Sequence, residues 1–187
     1  MNILITGATG LVGACLCRYF EAAGHSVYRL ERDGKADASF RWNSDAQSCF
    51  LDPEISLDVV INLAGESSQG RWTRTRKDAI RNSRIDLTRA LSVALSSQDN
   101  PPHLFISASA VGFYGDNGDT AVHEESSGGG DFLAGVARDW EAAATECSAA
   151  GIRVVQARLG VVLSPDGGAL AEMLLPFRLG LGGPCLL

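Results

Sequence analysis

Ile3-Leu4-Ile5-Thr6-Gly7-Ala8-Thr9-Gly10-Leu11-Val12-Gly13 decides the fold: a short apolar run breaks into a glycine-spaced turn and then opens a helical pattern that continues to about residue 23. The run before the turn reads as a buried strand and the periodic run after it as a helix. Gly7 permits the tight strand-to-helix bend, Gly10 lets backbone come close to a ligand, and Gly13 lets the helix lie close against the sheet. A helix that starts there offers unpaired N–H groups and the positive end of its dipole, which suits an anion such as a pyrophosphate. With Ser26-Val27-Tyr28-Arg29-Leu30 as the next strand, the segment reads as a βαβ unit. Its turn is a candidate dinucleotide site made of Thr6, Gly7, Thr9, Gly10, Leu11, Val12 and Gly13. The competing reading is a glycine turn in an α/β domain that binds nothing.

Outward from that unit, Val59-Val60-Ile61, Leu104-Phe105-Ile106 and Val154-Val155 are continuous apolar runs, as expected of strands covered on both faces of a parallel sheet. A helix is predicted from near Thr73 to about Ser97, with Ile80, Leu87, Leu91 and Leu95 returning to one face. Pro101-Pro102 forces an extended entry into the following strand. Another helix starts after Asp131 as N-cap and carries a stripe of Leu133, Val136, Ala137, Trp140, Ala144 and Cys147 toward the sheet, until Gly151 stops it. A last helix is expected over about 168–178. The fold class is α/β, a doubly wound parallel sheet with ligands at the carboxyl ends of its strands. Residues 31–57 and 126–130 read as surface loops. The turn-rich end from Gly180 to Leu187 leads nowhere, so the chain looks cut short.

At 187 residues the chain is about one domain on the rule of roughly 150 residues per domain. A hydrophobic share of 45% and a charged share of 20% exclude disorder and collagen-like repetition. The formal charge of −6 argues against nucleic acid or an anionic membrane face as partner. Five scattered cysteines, Cys15, Cys17, Cys49, Cys147 and Cys185, form neither a disulfide framework nor a zinc knuckle, which fits a reducing cytoplasm. The start lacks the basic flank of an export signal, and no run nears the ~18 apolar residues of a membrane-spanning helix. His25, His103 and His123 are isolated, so no metal site is expected.

Further candidates lie at the predicted strand ends. Arg29, Glu31, Arg32 and Asp33 follow the second strand, where an adenosine ribose would lie. An acidic side chain there accepts from a free 2′-hydroxyl, whereas a guanidinium pairs with a 2′-phosphate; Arg32 is preferred, and with it NADP(H) over NAD(H). Leu63, Ala64 and Gly65 after the third run leave room for a cofactor ribose, or form an ordinary turn. Ser109 stands after the next strand, placed to hydrogen-bond a substrate carbonyl or hydroxyl. Thr73 is a cap and Trp72 a staple, or else Arg71 faces an anionic substrate with Trp72 walling the pocket. Arg158 reaches ligand or clamps loops together.

The order of TGATGLVG (6–13), NLAGE (62–66), RWT (71–73), SASAVGFYGD (107–116), DFLAGVARDWEAAA (131–144), RLGVVLSPDGGAL (158–170) and LLPFRLGLGGP (174–184) resembles the extended, nucleotide-sugar-epimerase-like short-chain dehydrogenases/reductases. More narrowly it is similar to their atypical epimerase-family, cell-division-inhibitor-like branch. The resemblance implies a Rossmann fold, NADP(H) at Gly7, Gly10, Gly13 and Arg32, and Ser109 at the position of the catalytic serine or threonine. It also implies that residues 1–187 are the NAD(P)-binding domain, lacking a smaller C-terminal substrate lobe, with apolar surface exposed where that lobe docks and self-association into a homo-oligomer as one outcome.

The departure from the superfamily is its Tyr-x-x-x-Lys pair. Aligned by Glu141, those positions are Leu133 and Ala137, neither of which moves a proton. Tyr114 is the best substitute general acid, against a ring packed under its loop with the hydroxyl satisfied locally; Glu66 is a weaker candidate base. Two functions remain: an NADP(H)-dependent oxidoreductase or epimerase acting on a small molecule of unknown identity, or a dinucleotide sensor or scaffold without turnover.

Overall fold

The computed structural model describes residues 1–33, 38–68 and 70–181. The opening apolar run forms β1 (Asn2–Thr6), and Ile3, Leu4 and Ile5 are all buried, as a strand covered on both faces requires. Successive side chains of a strand point to opposite faces. Ile3 and Ile5 accordingly meet Cys17 of α1 (Leu11–Ala22) on one face, while Leu4 packs with Val60, Leu91, Leu95 and Phe105 on the other. From α1 the chain returns as β2 (Ser26–Arg29), parallel to β1.

Residues 31–57 are not the surface loop the sequence suggested. They contain β3 (Glu31–Arg32), β4 (Phe40–Asn43) and β5 (Ser48–Leu51), which form a second sheet in the order β3-β4-β5. The physical reason is alternation in very short strands: Phe40 and Trp42 are buried, and Leu51 opposite Phe40 is buried with them. Phe40 and Leu51 join the same core cluster as Leu4 and Phe105, so this small sheet closes one face of the main core.

The main sheet resumes with β6 (Val59–Asn62) and, after α2 (Arg74–Ser96), with β7 (Leu104–Ala110); α3 (Phe132–Thr145) then leads to β8 (Arg153–Leu159) and α4 (Gly168–Arg178). Its order is β2-β1-β6-β7-β8 with every pairing parallel. The connection reverses direction between β1 and β6, and the crevice above their carboxyl ends is where such sheets bind ligands. Both expected caps are present: Thr73 accepts from the Arg76 N–H and Asp131 from the Ala134 N–H. The expected stripe on α3 holds for Val136, Ala137, Trp140 and Ala144, with Cys147 buried just beyond. Leu133 departs from it: in the first turn of α3 it is 36% exposed, lies beside Gly112 and lines a groove.

Residues 126–130 carry no helix or strand, as expected of a loop. The expected final helix is α4, whose Leu175 and Phe177 are exposed, as are Val161 and Leu163 before it. Of the turn-rich end, residues 182–187 lie outside the described residues.

Phe40→Ala tests the small sheet. It should cost about 3–5 kcal/mol in urea unfolding, as for a fully packed aromatic, whereas Ser48→Ala on the exposed side should stay within about 0.5 kcal/mol. Equal, small effects would return residues 31–57 to the surface.

Candidate functional site

The turn after β1 is built from backbone in contact with backbone. Gly7 has φ +64°, and a Cβ there would lie 2.9 Å from the Leu63 carbonyl carbon. A Cβ on Gly13 would lie 2.2 Å from the Gly7 oxygen. Only glycine lets β1, α1 and the end of β6 approach this closely. Gly10 N–H donates to the Gly7 carbonyl at 3.0 Å, and Gly10 then caps α1 without any side-chain acceptor. No acidic residue stands in the first turn. The helix therefore starts with N–H groups that no side chain caps and with its positive dipole end uncompensated.

Two grooves meet at this turn and share Gly7, Gly10 and Leu63. One, of about 660 Å3, is lined by Thr6, Ala8, Thr9, Arg32, Trp42, Ala64 and Gly65. The other, of about 520 Å3, is lined by Leu11, Val12, Gly13, Ser109, Leu133 and Ala137. The two half-grooves meet at the uncapped turn, which lies between them. The residues named from sequence at the turn and after β6 are thus brought together.

Thr6 sits beneath this groove with its hydroxyl engaged: it donates to Asn62 Oδ1 at 2.7 Å and accepts from Leu63 N–H and Ala64 N–H, both at 3.1 Å. Asn62 Nδ2 donates in turn to Thr88 Oγ1 at 2.8 Å, which also accepts from Trp140 Nε1 at 2.9 Å. This network fixes the backbone that Gly7 touches.

At the first half's rim, Arg32 is exposed and makes no side-chain bond among the described residues. Arg29 is tied to Glu21 at 2.7 Å. Asp33 takes a left-handed backbone (φ 46°) and accepts from the Ser44 N–H and hydroxyl, which hold its carboxyl below the usual range. Residues 34–37 lie outside the described residues.

In the second half, Ser109 is 3% exposed and donates to Glu141 Oε1 at 2.6 Å. Arg158 grips the same carboxylate with two donors, Nε to Oε1 at 2.8 Å and Nη2 to Oε2 at 2.9 Å. Its Nη1 donates to the Tyr114 hydroxyl and to the Glu124 carbonyl, both at 2.9 Å, and its guanidinium lies 3.6 Å from the Phe113 ring centroid. Arg158 is therefore the clamp between loops. Burial pushes the Glu141 carboxyl up, but bonds from Arg158 and Ser109 and the Arg158 charge outweigh it, so the net direction is down. Because the Ser109 O–H is directed at the Glu141 carboxylate, its oxygen lone pairs are what it has left to offer, as an acceptor from a hydroxyl.

Tyr114 lies elsewhere. It lines a neighbouring polar groove of about 780 Å3 with Asp116, His123 and Gln156, and reaches Ser109 only through Arg158 and Glu141. Glu66 is paired with Arg76 at 3.0 Å. Trp72 donates to the Ser68 carbonyl at 2.7 Å and packs edge-on to Phe132, while Arg71 is exposed. Glu141 is a functional residue the sequence reading missed; its spacing of four from Ala137 and three from Ala144, both buried, was the available sign of a covered carboxylate. Among the described residues, no group of His, Cys, Asp and Glu could hold a metal ion, and no helix is long and apolar enough to cross a membrane.

A family model described as the NAD dependent epimerase/dehydratase family matches residues 3–177. Epimerase family protein Mb2239 of Mycobacterium bovis is 41% identical over 184 residues, covering 96% of this chain and 60% of its own length. The crystal structure of human epimerase family protein SDR39U1 with NADPH superposes with a TM-score of 0.84 at 33% identity, over 98% of this chain and 62% of that one. A nucleoside-diphosphate sugar epimerase from Corynebacterium glutamicum follows with a TM-score of 0.75 and 37% identity, over 95% of this chain and 38% of that one. The chain thus spans about 60% of the length of the curated relatives it matches. Over that span the fold is the parallel α/β dinucleotide-binding fold of its relatives, and the chain belongs to the NAD-dependent epimerase/dehydratase family.

Proposed function

We propose that residues 1–187 are the NADP(H)-binding domain of an epimerase-like oxidoreductase of the short-chain dehydrogenase/reductase type. The observation that carries this reading is the pair of half-grooves meeting at an uncapped helix N-terminus between glycines that admit no Cβ. The N–H groups of Leu11, Val12 and Gly13 are suited to the pyrophosphate, and Leu63, Ala64 and Gly65 to a ribose. Arg32, exposed at the rim of the first half-groove, pairs with a 2′-phosphate, hence NADP(H) over NAD(H). That SDR39U1, 33% identical, crystallises with NADPH supports the same preference. Scattered thiols that are free among the described residues suit work in the cytoplasm.

The nicotinamide supplies hydride exchange when bound. Ser109 is the catalytic residue that touches substrate, accepting from its hydroxyl, and Glu141 fixes the direction of the Ser109 proton. Tyr114 holds Arg158, and through it Glu141, as a positioning residue. A second reading, a dinucleotide sensor without turnover, is favoured by one observation: Leu133 and Ala137 present only carbon to this half-groove, where the superfamily has its proton-transfer pair.

Ligand that binds only the native state raises its melting temperature by mass action. Thermal-shift titration should therefore show stabilisation by NADPH, and Arg32→Ala should weaken NADPH by about tenfold while leaving NADH unchanged, the worth of one charge-assisted contact. Equal shifts from NADPH and NADH in the wild type would remove the role given to Arg32. Oxidation of NADPH by a carbonyl panel separates the enzyme from the sensor.

Glu141 gives the pH dependence. A carboxyl whose folded pKa is depressed contributes stability that is present above its unfolded value of about 4.3 and is lost as pH falls through the folded value. Glu141→Gln should cost about 2 kcal/mol at pH 7 in urea unfolding, as expected for losing charged hydrogen bonds. The gap should narrow below about pH 4. A gap that stays constant down to acid unfolding would show that the ionised carboxylate does not hold Ser109 and Arg158 together.

A further inference from the structure

Arg84 lines the second half-groove, Arg158 reaches it only through Glu141 and Ser109, and the two arginines differ in one respect. The Nε and Nη2 edge of Arg158, the side of the guanidinium fork that matches a carboxylate, is filled by Glu141. The corresponding edge of Arg84 has no protein acceptor among the described residues. Only its Nη1 is engaged, donating to the carbonyls of Glu66 and Ile80, both at 2.9 Å. No carboxylate pairs with Arg84 there; the nearby Glu66 gives Oε1 to Arg76.

The position of Arg84 is nevertheless built. It lies on α2 in the row Ile80, Arg84, Thr88, Ser92, of which the other three are buried. Its guanidinium is 5.3 Å from the Trp140 ring centroid. It also rests against Gly65, where a Cβ would meet Arg84 Cζ at 3.0 Å and Nε at 3.2 Å. Half-burial among neutral partners penalises the charged form, which the Glu66 charge offsets in part, so the net direction of its pKa is down. A cation so placed, with a fork edge unmatched, is best stabilised by an anion accepting two parallel bonds. It lines the half-groove of Ser109, whose other walls include Leu133, Val136, Ala137 and Val161, and is absent from the half that holds Arg32. The turn has its own N–H groups for the cofactor phosphates.

We propose that Arg84 is an oxyanion subsite of this half-groove, holding a carboxylate or phosphate group of the substrate that Ser109 meets. The substrate class is then a small anionic alcohol or carbonyl compound. The inference rests on the proposed dinucleotide groove.

The test uses the whole chain, with and without saturating NADPH, titrated with malonate and inorganic phosphate against potassium chloride at matched ionic strength. At least one of the two anions should raise the melting temperature beyond the chloride control, with a roughly tenfold or greater loss of affinity in Arg84→Gln. Arg84→Lys, which keeps the charge but not the fork, should recover part of it. Gly65→Ala, which displaces the guanidinium without removing it, should lose the anion effect too and decides the matter if Arg84→Gln does not fold. No anion effect in the wild type, or an unchanged one in Arg84→Gln, overturns the subsite. Loss of affinity for NADPH and for its nicotinamide-free fragment, 2′-phospho-ADP-ribose, in Arg84→Gln moves the oxyanion to the cofactor and overturns the substrate assignment. Wild type that binds anion but no NADPH leaves the subsite standing and removes the dinucleotide reading.

Discussion

The side-chain amide of Asn62 is wholly buried, so each of its polar atoms must find a partner within the protein. Its oxygen accepts from Thr6 at the end of β1; its nitrogen donates to Thr88 on α2 and, at 3.3 Å, to Ser107 on β7. Trp140 of α3 closes the set through Thr88. One amide thus joins the ends of β1 and β6, the middle of β7 and two helices directly beneath the groove. Each bond is worth only about 1 kcal/mol net, but stranding a buried partner costs about 1–3 kcal/mol, so the set stands or falls as a group. The backbone from Leu63 to Gly65 inherits its position from this network, and with it the place where Gly7 and Arg84 make their closest approaches.

Above that floor the charged groups divide between the lining of the second half-groove, which holds Arg84, and the layer behind Ser109, which holds Arg158 and Glu141. Arg158 and Glu141 neutralise each other and turn the Ser109 hydroxyl away from donating into the groove. Arg84 is satisfied by carbonyls and an aromatic face, partners that leave its charge in place. Between them Leu133 and Ala137 contribute only apolar surface. The half-groove therefore combines one acceptor hydroxyl, one cation only partly offset by Glu66, the backbone N–H groups of the turn and a mostly apolar remainder.

Much of this was legible in the sequence because it rests on local rules. The glycines at 7 and 13 have one steric explanation in that setting, the continuous apolar runs became the parallel strands, and Thr73 and Asp131 cap the helices they precede. What escaped notice depends on long-range pairing. β3, β4 and β5 have at most four residues each, too few for a periodic pattern, and only their pairing shows Phe40 facing Leu51. Leu133 fits the helical stripe by spacing, yet in the first turn of α3 it lines a groove and stays 36% exposed. Arg84 and Glu141 are charged residues beside buried helix rows, and a charge in such a row is the one mark that would have singled them out. The clamp at Arg158 is one of two readings the sequence allows, but its partners Tyr114, Glu124 and Glu141, and Ser109 beyond Glu141, stand 17 or more residues away and leave no local trace.

The exposure of these charges sets how dissolved salt reaches them. Arg32 stands in the open at one end, whereas the side chains of Arg158 and Glu141 keep only 18% and 13% of their surface. Mobile ions screen open charges over about 8–10 Å and act much less on covered ones. Raising the ionic strength therefore dims the attraction that the outer rim exerts on an approaching anion, while the inner pair keeps its hold on the serine. The field at the rim thus belongs to the solvent, and the bonds behind Ser109 to the protein interior.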